Sequence, residues 1–211
     1  MRMINLRMGC LYSYGCRMAR EKGVNEILSS FIKQKRERRF FQEIVQTALQ
    51  ELQSYSAYRL IATSKNMVDI FDEAVIRSYW LGEANPKSAD LRNLNHNFAT
   101  LEKINFFKKI SGLDSEKVRS LLNCLISWGE VIGLNSDKIE VSETGLMLMA
   151  GKIVLSGRER EVEVGFLEKK TIKKGSILSI HIGSAREIID SQQTSLLDKR
   201  TLEALEAIKF E

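Results

Sequence analysis

Two side chains in the second half of the sequence could do chemistry together: the thiol of Cys124 and the imidazole of His181. A thiolate and an imidazole are ligands that suit a soft or borderline metal ion such as iron. The same groups could instead form a nucleophile and its base, because a nearby histidine lowers the pKa of a thiol from its ordinary value of about 8.5. The ordinary alternative is a small core cysteine and a histidine bonded to a backbone carbonyl. Spacing alone leaves these interpretations open.

Other candidates for metal chemistry are weaker. Cys10 and Cys16 lie among N-terminal methionines, but their spacing matches no common zinc or iron–sulfur pattern. We therefore expect both to pack as small hydrophobic residues. His96 lies among asparagines on a predicted helix, where we expect it to belong to a partly exposed polar face.

The residues around Cys124 and His181 have the pattern of short β-strands separated by glycine-rich turns. The predicted strands cover residues 124–132, 138–142, 145–148, 152–155, 161–166 and 176–182. Five or six short strands favour a small closed, OB-like barrel, because closure removes exposed strand edges. Cys124 is then expected to open the first strand and His181 to lie near the end of the last. A charged helix is predicted after the barrel, over residues 195–208.

The first half of the sequence predicts helices. Residues 24–61 contain no proline or glycine, and apolar residues recur there at helical spacing. A further helix is predicted to start after Asn66 as its N-cap, with Val68 on its apolar face. We therefore predict an α+β protein, with an α-helical bundle at residues 1–122 and an OB-like β-barrel with a C-terminal helix at residues 123–211.

Charge is distributed unevenly between the two halves. Residues 1–110 carry 18 Lys/Arg and 11 Asp/Glu, whereas residues 111–211 carry 14 and 16. The basic excess is densest at residues 33–39 (Lys-Gln-Lys-Arg-Glu-Arg-Arg), a run that is typical of a solvated helix face. An OB-like barrel that binds single-stranded nucleic acid needs a basic groove with stacking aromatics. The predicted strands are acidic overall and hold only Trp128 and Phe166, so this function is not favoured.

The cellular setting follows from cysteine usage and hydropathy. The odd number of cysteines, three, does not indicate a disulfide scaffold. No apolar stretch approaches the roughly 18 residues that a membrane span needs, and the N-terminus lacks a signal-peptide core. We expect a cytoplasmic protein whose thiols stay reduced.

Two segments of the chain resemble the HypC/HupF family of hydrogenase maturation chaperones. Residues 124–131 (Cys-Leu-Ile-Ser-Trp-Gly-Glu-Val) are similar to the family's opening, a Cys and Leu followed by Pro-Gly and a Val. Residues 174–185 (Lys-Gly-Ser-Ile-Leu-Ser-Ile-His-Ile-Gly-Ser-Ala) are similar to its last strand, a glycine turn followed by an apolar pair, His, Gly and Ala. Trp128 stands where the family has proline, and Ser184 where it has an aromatic residue. In the family the Cys follows the initiator Met, whereas 123 residues precede Cys124 here.

This resemblance implies a function. The family's small OB-like barrels hold, with partner maturases, an iron atom bearing cyanide and carbon monoxide, and pass it towards the large subunit of a nickel–iron hydrogenase. By the resemblance, Cys124 would anchor the iron and His181 would be a second metal residue. Trp128, Gly129 and Gly183 would contact a maturation partner or the hydrogenase large subunit.

A second resemblance covers most of the chain. The chain is similar to an uncharacterised family that is found beside hydrogenase genes. That family also has a counterpart of residues 77–82 (Arg-Ser-Tyr-Trp-Leu-Gly). We therefore expect a non-enzymatic accessory or chaperone in nickel–iron hydrogenase maturation. The alternatives are an OB-like nucleic-acid-binding or protein-interaction module without metal chemistry, and a thiol enzyme for which no third orienting residue can be named.

Overall fold

The chain forms two compact units, Met1–Asn95 and His96–Glu211. The computed structural model describes residues 3–33, 39–83, 94–112, 115–135 and 138–208. The boundary that we predicted lay after residue 122, so the second unit also takes in the two helices that precede the barrel. Both helices contribute to the site described below.

The first unit is a bundle of helices, as predicted. They are α1 (Met3–Ser13), α2 (Arg17–Glu21), α3 (Asn25–Lys33), α4 (Arg39–Gln50), α5 (Ser54–Ser64) and α6 (Glu73–Trp80). Aromatic residues fill much of its core, where the indole N–H of Trp80 donates a 2.6 Å hydrogen bond to the hydroxyl of Tyr58. Residues 34–38 of the basic run lie outside the described residues. None of the described helices is long and apolar enough to cross a membrane.

Helix α6 starts later than the sequence predicted. The predicted N-cap, Asn66, has a left-handed backbone (φ 54°), and Val68 is fully exposed. The helix begins instead after Asp72, whose carboxylate accepts a 2.9 Å hydrogen bond from the backbone N–H of Ala74. A carboxylate satisfies the unpaired N–H groups of a first turn better than the amide at position 66 could from its left-handed conformation.

The second unit contains the predicted OB-like barrel followed by a helix. Its strands are β1 (Ser127–Leu134), β2 (Lys138–Met149), β3 (Lys152–Glu163), β4 (Ile177–His181) and β5 (Ser184–Ile189), with a short 3-10 turn at Lys169–Thr171. They close in the order β1-β2-β3-β5-β4, and β4 pairs back onto β1. Neighbouring strands are antiparallel except β3 and β5, which meet in parallel at Glu163 and Ser184. This is the five-stranded Greek-key closure of OB-like barrels.

The barrel interior is filled by the alternate residues of its strands. The buried apolar residues that share this core are Val131, Ile139, Val141, Val162, Ile172, Leu178, Ile180 and Ala185. Burying each aliphatic side chain of this size contributes roughly 1.5–3 kcal/mol. In β2 the alternation continues beyond Ile139 and Val141 to Glu143, which is also buried. A carboxylate therefore occupies an inward position that the strand pattern reserves for apolar residues.

Three helices cover one end of the barrel: α7 (His96–Ser111), α8 (Glu116–Asn123) and α9 (Ser191–Ala207). They enclose a second apolar cluster with the far end of the β2–β3 hairpin, made of Leu101, Ile104, Val118, Leu125, Leu146, Ile153, Ala204 and Ile208. Helix α9 begins four residues before its predicted start, because Asp190 and Gln193 form a reciprocal capping box.

Candidate metal centre

Cys124 lies at the junction between helix and barrel. It does not open the first strand, as the sequence predicted, but ends α8 as its C-cap, with φ −85° and ψ −8°. Its backbone N–H donates to the carbonyl of Leu121, and that of Leu125 donates to the carbonyl of Leu122. The helical hydrogen bonds thus extend through the apolar run that suggested a strand, and β1 starts only at Ser127.

Strand pairing brings His181 to Cys124. His181 is the last residue of β4, and β4 runs antiparallel to β1 with Ile180 opposite Ser127. The residues just before Ser127 must therefore approach the residue just after Ile180. The Sγ of Cys124 lies 3.4 Å from the Nε2 of His181, a contact short enough for a hydrogen bond through sulfur.

A third side chain, His96, completes the cluster. Its Nε2 lies 2.7 Å from the carbonyl oxygen of Cys124 and 3.8 Å from the Sγ. The rings of His96 and His181 meet edge to face, with centroids 5.1 Å apart. The expectation of a partly exposed polar face was wrong, because His96 is 6% exposed. The chain has only two histidines, and both come to this cysteine.

Asn97 fixes the position of the cysteine segment. Its side chain bonds both backbone groups of Ile126: Nδ2 donates to the carbonyl at 3.0 Å, and Oδ1 accepts from the N–H at 2.8 Å. Nδ2 also donates to the hydroxyl of Thr201 on α9 at 3.0 Å. Asn97 is 3% exposed, so these bonds are shielded from water. One amide thus ties the start of α7, the α8–β1 junction and α9 together beside the cluster.

The turn after His181 has an unfavourable backbone. Ile182 and Gly183 both have positive φ angles, 53° and 70°, and connect β4 to β5 as a tight hairpin. Glycine adopts this conformation readily, but a β-branched residue does not. The carbonyl of His181 accepts a 3.0 Å hydrogen bond from the buried Arg186, which helps to hold the turn. Strain of this kind persists where the surrounding structure over-determines it, and often at functional sites.

His96 is neutral at physiological pH. Its pKa is lowered from 6.5 to about 4, mainly by burial and to a smaller extent by the positive charge of Lys103, while the hydrogen bond to the Cys124 carbonyl acts in the opposite direction. A neutral imidazole is the form that binds metals. Since a carbonyl only accepts hydrogen bonds, the Nε2 facing it carries the proton in the metal-free protein.

The three side chains fit the donor geometry of a transition metal. Their ligand atoms all lie within 4.8 Å of one another. A tetrahedral ion with metal–sulfur and metal–nitrogen bonds of about 2.3 and 2.0 Å places those two atoms about 3.5 Å apart. The observed separations of Sγ from the two Nε2 atoms, 3.4 and 3.8 Å, bracket that value. The donor atoms of the two imidazoles lie within 4.8 Å of each other, so shifts of the rings within that distance would bring all three atoms onto one ion.

The cluster lies in a part of the chain that a protein-family model matches. A family model described as a family of unknown function, DUF6390, matches residues 92–210, more than half of the chain. The chain belongs to this family. No curated protein and no solved structure matches it. The DUF6390 region begins four residues before His96 and therefore contains all three candidate ligands and the barrel. Its description carries no function, so the resemblance to the HypC/HupF chaperones stays a prediction.

Within the DUF6390 region the cluster is closed to solvent. Cys124 is 8% exposed and His181 is fully buried. A metal ion, or a substrate for a nucleophilic thiol, would therefore reach the sulfur only if the surrounding structure opened. The second imidazole favours the metal interpretation, since a nucleophile needs one base whereas a metal site needs three or four ligands.

The residues predicted to bind a partner lie in different settings. Trp128 is 7% exposed, so its ring is largely shielded from solvent. Gly129 lies where β1 crosses β2 closely, and a Cβ there would be 3.2 Å from the Cα of Glu143. Gly183 belongs to the tight turn after His181. Their contact with a partner stays a prediction, and Gly129 has a structural role in the barrel.

Proposed function

We propose that the DUF6390 region binds a transition metal ion through His96, Cys124 and His181. The observation that carries this proposal is the convergence of the chain's two histidines and one cysteine, with sulfur–nitrogen separations of 3.4 and 3.8 Å. Burial supports it further, because a neutral imidazole is ready to coordinate whereas a charged one is not.

The donor set defines the class of metal. One thiolate with two imidazoles suits iron, zinc or another borderline ion, and disfavours calcium and magnesium, which prefer oxygen. The thiol of Cys124 would lose its proton on binding, and the Nε2 of His96 would give up its hydrogen bond to the Cys124 carbonyl. Three protein ligands leave a fourth position for an external ligand, as in sites that do chemistry or transfer a metal.

We propose further that this site serves metallocentre maturation, without enzymatic activity of its own. The support is the two-motif resemblance to HypC/HupF chaperones, whose iron-binding Cys and conserved His correspond to Cys124 and His181. In that role the cargo would be iron carrying cyanide and carbon monoxide, and the partners would be hydrogenase maturation proteins or the hydrogenase large subunit. The additional ligand, His96, lies outside the two resembling segments.

Metal binding is tested by titrating the purified, metal-free chain with Co²⁺ under anaerobic conditions. Tetrahedral binding to a thiolate should give a sulfur-to-cobalt charge-transfer band together with intense visible bands. Cys124→Ser should abolish the charge-transfer band, and His96→Ala and His181→Ala should weaken binding. Cys16→Ser is the matched control, since this partly exposed cysteine lies in the other unit. A charge-transfer band that survives Cys124→Ser but disappears in Cys16→Ser would refute the site.

The maturation role needs a separate experiment. The chain is co-purified anaerobically with hydrogenase maturation proteins and examined by infrared spectroscopy and iron analysis. The proposal expects cyanide and carbonyl bands that are lost in Cys124→Ala and kept in Cys16→Ser. If Co²⁺ binds as expected but no such bands or partners accompany the protein, the metal site stands and the hydrogenase role falls.

A further inference from the structure

A cavity of about 560 Å³ lies beside the barrel in the second unit, between α8, the β2–β3 hairpin and the turn after His181. We call it the arginine cavity, because Arg119, Arg158 and Arg160 line it. Its volume falls within the range of about 300–1,000 Å³ that is typical of small-molecule sites. None of the three proposed metal ligands lines it, so it is a separate feature of the DUF6390 region.

The charges in this cavity do not balance. Glu143 is the one acidic residue among its described lining residues, against three arginines. The Glu143 carboxylate accepts hydrogen bonds from Arg160 at 2.6 Å, Arg158 at 2.8 Å and Ser127 at 2.5 Å. Burial alone would raise the pKa of Glu143, but the bonds from Arg160, Ser127 and Arg158 outweigh it and lower the pKa. The carboxylate is therefore ionised at neutral pH, and the lining keeps a surplus of two positive charges.

Arg158 and Arg160 have more hydrogen-bond donors than their bonds to Glu143 use. A guanidinium has five N–H donors in a planar fork. Arg158 binds Glu143 through Nε and is half exposed, which leaves its terminal N–H groups towards solvent. The Nε of Arg160 is buried and has no hydrogen-bond partner among the described residues. Burying a donor without a partner is unfavourable, more so for a charged group.

Most of the remaining side chains in the lining are apolar, with Asn123, Ser127 and Ser156 as polar exceptions. Leu122 of α8 and Leu146 and Leu148 of β2 face the same cavity, together with Met147, Met149 and Ile182. An inorganic anion alone would leave this part in contact with water. A ligand that has a charged end and an apolar body would match both parts, which is the usual composition of a small-molecule site.

We propose that the arginine cavity binds a small anionic molecule whose phosphate or carboxylate group is joined to an apolar body. The head group lies against the guanidinium groups of Arg119, Arg158 and Arg160, where planar forks bind oxyanions in a bidentate manner. The apolar body covers the leucines and methionines. This inference is independent of the proposed metal site.

Calorimetric titration of the metal-free full chain tests the chemistry of the ligand. The probes are octyl phosphate, octanoate, octanol and octyltrimethylammonium, each kept below its micelle concentration. Saturable binding of one or both anions supports the proposal, and the tighter anion identifies the head group. The affinity should fall as salt is raised, because charges at a partly open site are screened. Octanol or the cationic probe binding as tightly as the anions would overturn it.

Charge-changing variants locate the binding. Arg119 is exposed on α8, so Arg119→Gln should leave the fold intact and weaken octyl phosphate about tenfold, equivalent to about 1.4 kcal/mol. Lys117→Gln removes the same charge from the same helix, outside the cavity lining, and should change nothing. Glu143→Gln should act in the opposite direction and tighten binding, provided that circular dichroism shows it folded. Equal affinities of Arg119→Gln and Lys117→Gln would overturn the proposal, whether or not the Glu143 variant folds.

Discussion

The buried imidazole of His96 makes the metal-free second unit sensitive to acid. Its pKa is lowered by burial from 6.5 to about 4, so between these values the unfolded chain binds a proton that the folded protein excludes. Stability rises with pH wherever the unfolded state binds more protons. The contribution of His96 is therefore complete above its unfolded pKa and is lost as the pH falls from there towards its folded value.

The size of the effect follows from the shift. Each pKa unit corresponds to about 1.4 kcal/mol, so a shift from 6.5 to about 4 is worth about 3 kcal/mol in full. Between the unfolded pKa and pH 5 the loss should be about 2 kcal/mol. This is a large fraction of a typical stability of about 5–15 kcal/mol, so it should be measurable as a shift of the unfolding midpoint.

Urea unfolding in the presence of a chelator measures this loss. The chain has two tryptophans, and a Trp80→Phe background leaves Trp128 as the sole reporter of the barrel. His96→Gln is the matched variant, because its amide can still donate to the Cys124 carbonyl but does not titrate. Between pH 7 and pH 5 the His96 protein should lose about 2 kcal/mol more than the Gln variant. Equal losses would refute the account of His96 as a buried, neutral imidazole.

Two further predictions concern the supports of the cluster. Asn97→Ala should destabilise the second unit by about 2–4 kcal/mol, because it leaves the buried N–H and carbonyl of Ile126 without partners. Urea unfolding measures this loss. Asn123→Ala, at an exposed position, is the control and should change stability by less than about 0.5 kcal/mol. Ile182→Asn should stabilise the unit by about 1 kcal/mol, since asparagine tolerates the left-handed backbone at this position. Ile188→Asn, at an exposed strand position, is its control, and a loss of stability in Ile182→Asn as large as in this control would contradict the strain argument.

The barrel could be predicted from sequence because strand alternation is a local signal, but strand lengths could not. Residues 138–142 and 145–148 were predicted as separate strands on account of Gly145, whereas β2 runs through it. A Cβ at Gly145 would lie 2.7 Å from the Cβ of Ser127, so this glycine allows close packing against β1 and makes no turn. A glycine in a strand and a glycine in a turn look alike until the neighbouring strand is known. Residues 184–189, given no strand in the prediction, form β5.

Two of the three residues of the cluster could be singled out from the sequence. Cys124 and His181 were singled out by their residue types and by two family-like segments, and the antiparallel β1–β4 pairing is what brings them together. His96 was missed because the sequence predicted its helix but not where that helix packs. His96 and the cysteine whose carbonyl it contacts are 28 residues apart in the chain. The one signal in the sequence that could have suggested that His96 and His181 belong to the same site is that the chain has only two histidines. The arginine cavity had no such signal, since Arg158 and Arg160 read as the polar face of a strand.

The three ligands come from the start of α7, the end of α8 and the end of β4, and this has a consequence for biosynthesis. A nascent chain that has emerged only as far as β3 offers His96 and Cys124 but not His181, which becomes a neighbour only when β4 pairs with β1. Unfinished or truncated polypeptides therefore hold an incomplete and weaker set of donors. Under the proposed function, the complete set of donors forms only when translation is nearly over, so a finished barrel would acquire the ion and an unfinished chain would not.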